Sequence, residues 1–111
     1  MRWCFIVLSV VIVGCSSHVG PEGLAVGGPC IDEFDCVTGS YCLRGSSFPN
    51  GTCTTNCRST DDCRGESLCA ELESGVCLLP CTVDDDCGRE GYACRPTVLR
   101  GAGERPACVG R

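Results

Sequence analysis

Apolar and polar residues are distributed unevenly along the chain. Trp3 to Val13 is an apolar-rich run of eleven residues. As a helix it would measure about 16 Å, against roughly 30 Å of bilayer hydrocarbon, so it is too short to span a membrane. Behind the positive start Met1-Arg2 it has the make-up of a signal-peptide core, with residues 1–14 as the signal. Beyond it the pattern changes. No stretch of a dozen residues keeps a 3.6-residue period, so helix is expected only as single turns before the Asp-Cys pairs. The stretches ending at Cys53 and Cys77 carry glycine turns, and each suits two short β-strands.

Cysteines supply the order that hydrophobicity lacks. From Cys30 to Cys108 the spacing reads C-x5-C-x5-C-x10-C, x3, C-x5-C-x5-C-x7-C, x3, C-x5-C-x6-C-x13-C. One four-cysteine unit thus occurs three times: Cys30, Cys36, Cys42, Cys53; Cys57, Cys63, Cys69, Cys77; and Cys81, Cys87, Cys94, Cys108. The modules are residues 29–56, 57–80 and 81–111. In each, acid precedes the second cysteine, as Asp35-Cys36, Asp61-Asp62-Cys63 and Asp84-Asp85-Asp86-Cys87. The first two modules end Gly51-Thr52-Cys53 and Gly75-Val76-Cys77; the third ends Pro106-Ala107-Cys108, and terminal repeats are often atypical. The expected fold class is small and disulfide-rich: three tandem four-cysteine modules with short β-hairpins and single helical turns.

Composition explains why covalent links are needed. From Cys15 onward there are seven leucines, eight valines and isoleucines, and four aromatics, Phe34, Tyr41, Phe48 and Tyr92. That is too little apolar surface to offset about 1–2 kcal/mol of backbone entropy per ordered residue. Disulfides closing loops of about 15 residues each contribute roughly 3 kcal/mol in the chain-entropy model. Four cysteines permit three pairings. Interleaved links, first to third and second to fourth, would fix every loop of a small module and are favoured; regular links between modules are the competing arrangement. Zinc is disfavoured, because ligand pairs at C-x2-4-C spacing are nearly missing and no histidine lies within the ladder. No C-x-x-C occurs, which removes the usual signature of a redox thiol.

Ile12-Val13-Gly14-Cys15 resembles the bacterial lipobox. The resemblance implies cleavage before Cys15, a thioether-linked diacylglycerol on its sulfur, and acylation of the new amino group. Two or more chains anchor a protein stably, whereas one holds it marginally. Parity agrees with this. Fourteen cysteines less Cys4 in the signal and Cys15 leave twelve, an even number, whereas an unmodified Cys15 would leave an odd thiol. Ser16 rather than aspartate after the cysteine favours the outer membrane. Plain secretion is the alternative. Residues 15–28 then read as a lipidated N-terminus and flexible tether, with five glycines and prolines among residues 16–28. His18, the only histidine, lies within it and has no catalytic partner nearby in sequence.

The matches Asp62-Cys63, Asp86-Cys87, Gly39-Ser40-Tyr41-Cys42 and Gly91-Tyr92-Ala93-Cys94 resemble the cysteine-rich repeats of bacterial lipoproteins similar to the Dickkopf N-terminal domain. The resemblance spans Cys30 to Cys108 and implies an extracytoplasmic binding or scaffold module. A net charge of −5 argues against a nucleic-acid partner. The acidic clusters lack the alternating carboxylates of a calcium loop and read better as turn caps. Residues 95–107 differ in sign, with Arg95, Arg100 and Arg105 against Glu104, and form a possible binding loop or protease bait. Catalysis is not expected, and neither is a cofactor or metal. The favoured function is a lipid-anchored, extracytoplasmic, non-catalytic protein that meets the membrane through Cys15 and an unknown protein partner. The alternative is a secreted effector or protease inhibitor acting through the loop 95–107.

Overall fold

The computed structural model describes residues 18–101 and 103–111. The segment 1–14 expected to be a signal and the acylation candidate Cys15 lie outside them.

Each module is built the same way, as a 3-10 turn followed by an antiparallel hairpin. The turns are Glu33–Asp35, Thr60–Asp62 and Asp84–Cys87. The hairpins pair β1 (Tyr41–Gly45) with β2 (Phe48–Thr54), β3 (Leu68–Ala70) with β4 (Val76–Leu78), and β5 (Tyr92–Val98) with β6 (Glu104–Gly110). Register sets the third and fourth cysteines of each module opposite one another: Cys42 with Cys53, Cys69 with Cys77, Cys94 with Cys108. These neighbours are not bonded to each other. Cys30–Cys42 and Cys36–Cys53, Cys57–Cys69 and Cys63–Cys77, Cys81–Cys94 and Cys87–Cys108 are the six disulfides. The two cysteines flanking each turn are thereby clamped to opposite strands of the hairpin, in the interleaved order that fixes every loop.

Glycine in the Gly-x-Cys pair has a steric cause. A Cβ on Gly51 would meet the Cys30 carbonyl and lie 2.9 Å from the sulfurs of Cys30 and Cys42, and one on Gly75 would meet the Cys57 carbonyl. The returning strand crosses the first cysteine of its own module at that point. In the third module Pro106 stands there, and its carbonyl still accepts the Cys81 N–H at 3.4 Å.

The modules share one core. Val26, Phe48, Val76, Leu78, Leu79, Tyr92 and Ala107 are buried together with Cys69, Cys77, Cys87 and Cys108. Backbone bonds cross every seam. Cys77 N–H reaches the Thr55 carbonyl at 3.1 Å, Cys108 N–H reaches Leu79 at 2.9 Å, and Gly110 N–H reaches Ser47 at 2.8 Å. The Thr54 hydroxyl is buried and donates to the Cys77 carbonyl at 2.7 Å, which satisfies a polar group inside the first seam.

The expected tether is a correction. Residues 18–28 are folded against the modules instead of free. Ala25 and Val26 are fully buried, and Val19 forms a bridge with Val26. Gly27 N–H donates to the Cys53 carbonyl and Cys53 N–H to Gly28, both at 2.8 Å, so the segment runs beside β2 as an added edge. Its glycines, which suggested flexibility, serve close packing. A Cβ on Gly23 would lie 2.5 Å from the Val26 carbonyl, and one on Gly27, at φ 105°, would meet the Gly20 carbonyl and Leu79.

Candidate functional site

The repeated aspartate before the second cysteine is part of the turn. Asp35 Oδ2 accepts the N–H groups of Ile31 and Asp32 at 2.7 and 3.2 Å. Asp62 accepts those of Arg58 and Ser59 at 2.9 and 3.4 Å, and Asp86 those of Thr82 and Val83 at 2.7 and 3.1 Å. This is a side-chain cap repeated three times, satisfying N–H groups that the short turn leaves open. The bonds from Ile31 and then Asp32 hold the Asp35 carboxyl below the usual aspartate range. Those from Thr82 and Val83 do the same for Asp86.

Asp84, in the most acidic turn, accepts the Cys94 N–H at 2.8 Å and lies 3.9 Å from Arg111. Among the described residues, the clusters compact enough to share an ion are three sulfur sets, Cys30/Cys36/Cys53, Cys57/Cys63/Cys77 and Cys81/Cys87/Cys108. All three sulfurs of each set are disulfide-bonded, two to each other and the third to another cysteine of its module, which leaves them without the thiolate character a metal requires. The capping aspartates Asp35, Asp62 and Asp86 each commit a carboxylate oxygen to backbone N–H groups of their own turn.

The arginine segment 95–107 is a clasp, which corrects its reading as a free loop. Arg95 lies in β5 opposite Ala107, and Arg105 lies in β6 opposite Thr97, so both belong to a paired ladder with exposed side chains. At the tip, Leu99 is buried and bridges to Ala70 of the second module. Glu71 N–H donates to the Val98 carbonyl at 2.8 Å, and Arg100 N–H to Cys69 at 3.0 Å. The Arg100 guanidinium donates to the Ser74 carbonyl at 2.6 Å and the Cys57 carbonyl at 3.3 Å, and pairs with Glu71 at 3.4 Å. A protease needs a bait arginine extended into its pocket, and Arg100 is folded back onto its own protein.

A second arginine, Arg89, had no sequence signal. It donates to the carbonyls of Gly51 at 2.7 Å, Gly27 at 3.0 Å and Pro49 at 3.2 Å. Its guanidinium lies 4.4 Å from the ring centroid of Tyr92. One side chain in the third module thus holds β2 and the N-terminal segment together. Burial pushes the Tyr92 hydroxyl up, and the Arg89 charge partly offsets this.

The gap beside Leu79, Arg89 and Tyr92 is about 10 Å³, space for at most one water. On the surface, Ile31 and Phe34 are 73% and 88% exposed around the first turn. Ile31 lines a shallow open groove with Pro29, Asp35, Arg44 and Asn50, and Arg44 donates to the Ile31 carbonyl at 2.9 Å. No family model, curated protein or solved structure matches the chain.

Proposed function

We propose that the chain is a lipid-anchored protein of the cell envelope, carried on an acylated Cys15 in the outer membrane, with a disulfide-braced, non-catalytic body that serves a structural or protein-binding role. One observation carries the reading. Every cysteine from Cys30 to Cys108 is consumed in a disulfide, which leaves Cys15 as the odd cysteine of an exported chain unless it is modified. The likeness to Dickkopf-type repeats supports an extracytoplasmic binding module and extends to no particular binding residue. The inhibitor alternative has less support, because Arg100 is engaged and Arg95 and Arg105 lie in paired strands.

Intact mass and N-terminal fragment analysis of the mature protein test the reading. A chain that begins at Cys15 and carries two or three acyl groups is expected. A mature chain of unmodified mass refutes the anchor.

A further inference from the structure

We propose that the first module rests directly on the bilayer, with Phe34, Ile31 and Leu24 in contact with lipid. This rests on the acylation of Cys15 proposed above. Two residues, Ser16 and Ser17, separate Cys15 from His18, where the described fold begins. Three Cα–Cα steps span at most about 11 Å. His18 is already bound into the body, its carbonyl accepting the N–H groups of Ala25 and Val26 at 2.8 and 2.9 Å. An anchor of that reach holds the N-terminal turn at headgroup depth and leaves the body no long tether.

The apolar residues near that turn are not required by the fold. Ile31 and Phe34 are the first and fourth residues of the loop between the first two cysteines of their module. The corresponding residues are Arg58 and Asp61 in the second module and Thr82 and Asp85 in the third. All three loops make the same aspartate-capped turn, so polar residues build it equally well. Phe34 is nonetheless 88% exposed and Ile31 73%. The loop is tied to the anchor side, since Val37 N–H donates to the carbonyl of Leu24 at 2.9 Å, and Leu24 is itself 44% exposed. Phe34 lies three residues before Val37, again within about 11 Å along the chain.

The neighbouring charges limit the depth of contact. Asp32 and Asp35 direct their carboxylates to N–H groups of the turn, Glu33 is exposed, and Arg44 places a cation beside Ile31. Such a surface suits the headgroup–acyl boundary, where apolar side chains dip in and charges stay wet.

Fluorescence provides the test. The mature chain from Cys15 has no tryptophan, so Phe34→Trp, Leu24→Trp and, as control, Asp61→Trp each introduce one indole. The acylated proteins are reconstituted in phosphatidylcholine vesicles with and without brominated acyl chains. Phe34→Trp and Leu24→Trp should lose roughly half their emission to bromine, as expected for groups about 5–10 Å into the boundary, and Asp61→Trp should not change. Absent or equal quenching in all three variants, with acylation verified by mass, overturns the docking and leaves the anchor standing. An unacylated mature chain refutes both, because the reach argument needs the anchor. A dimer in detergent that is lost on Phe34→Ala would assign the patch to a second copy and overturn the lipid contact.

Discussion

Replacing Arg89 tests whether the three modules hold together by a few cross-links at their seams. Arg89→Ala removes three donors that reach Gly27, Gly51 and Pro49, and a cation stacked on Tyr92. The side chain is half-buried, so each bond is weighted as a partly solvated charge-assisted one. The two shorter bonds contribute about 1 kcal/mol each, and the 3.2 Å bond to Pro49 less. The stack adds about 1 kcal/mol. The expected loss is therefore ~3 kcal/mol. For a domain of about 100 residues, that lowers the melting temperature by roughly 10–20 °C.

Guanidinium unfolding with disulfides intact measures the loss, and hydrogen exchange locates it. The Gly27 amide, bonded to the Cys53 carbonyl beside this arginine, should exchange faster by a factor approaching 100. Amides inside the second hairpin, such as Leu68 and Leu78, should change less. Arg89→Lys separates charge from geometry, because an ammonium keeps the charge but cannot fork to three carbonyls while stacking. Most of the loss should persist in it. If Arg89→Ala costs under about 1 kcal/mol, or if exchange rises uniformly, the seam is held by apolar packing and backbone bonds without this arginine, and the reasoning fails.

Other positions give sharper local tests. Arg100→Ala should leave trypsin unaffected, as should the parent protein, while lowering the denaturation midpoint; any parent inhibition that Arg100→Ala abolishes would contradict the clasp. Gly27→Ala should destabilise by about 2 kcal/mol or more, because φ is 105° and the new Cβ would meet the Gly20 carbonyl and Leu79; a tolerated substitution, read by thermal melting, would restore the tether reading. Asp35 and Asp86 have carboxyls held below their ordinary value of 3.8, so they bind fewer protons folded than unfolded as pH falls. Their contribution is fully present above that value and is lost as pH drops through the lower folded one. Melting between pH 5 and pH 2 should therefore show a downward slope that is reduced in the double variant Asp35→Ala, Asp86→Ala. Removing Cys36–Cys53, which closes 17 residues, by paired serine substitution should cost roughly 3 kcal/mol in chemical unfolding; no loss would mean that packing fixes the first hairpin unaided.

Features that recur in the spacing were legible, and features made by one-off contacts were not. Each Asp-Cys pair recurs because the same turn must be capped three times, so the turn was readable from Asp35, Asp62 and Asp86. Short strands near Cys53 and Cys77 were readable from their glycine turns, and β5–β6 was hidden because its long connection looked like a loop. Residues 18–28 misled for a physical reason. Glycine is permissive in isolation and compact in contact, and composition cannot say which property is used. Ala25 and Val26 are small enough to vanish into the core without producing a period. The bracing role of Arg89, and that of Arg100, which the sequence offered only as a loop residue, could not be found from the chain either, since the hydrogen-bond partners are backbone carbonyls 26 to 62 residues away, and a carbonyl leaves no mark on the sequence.

The places where the third module departs from the repeat are among the places where it binds the other two. A row of three short hairpins would leave the flanks of the first and second open to water, a problem that repeat arrays meet with atypical end units. Lengthening the last connection to thirteen residues gives β5 and β6 enough reach to set Leu99 against Ala70 and Arg100 over Cys57 and Ser74. The x6 gap of the same module contains Arg89, which spans to the first module and the N-terminal edge. Variation between Cys94 and Cys108 would then be constrained at Leu99 and Arg100 and free at Arg95 and Arg105, whose side chains are exposed on the ladder. A partner that recognises this hairpin would meet those two arginines together with the exposed Pro96, Val98, Glu104 and Pro106, because Leu99 and Arg100 are already engaged by the second module.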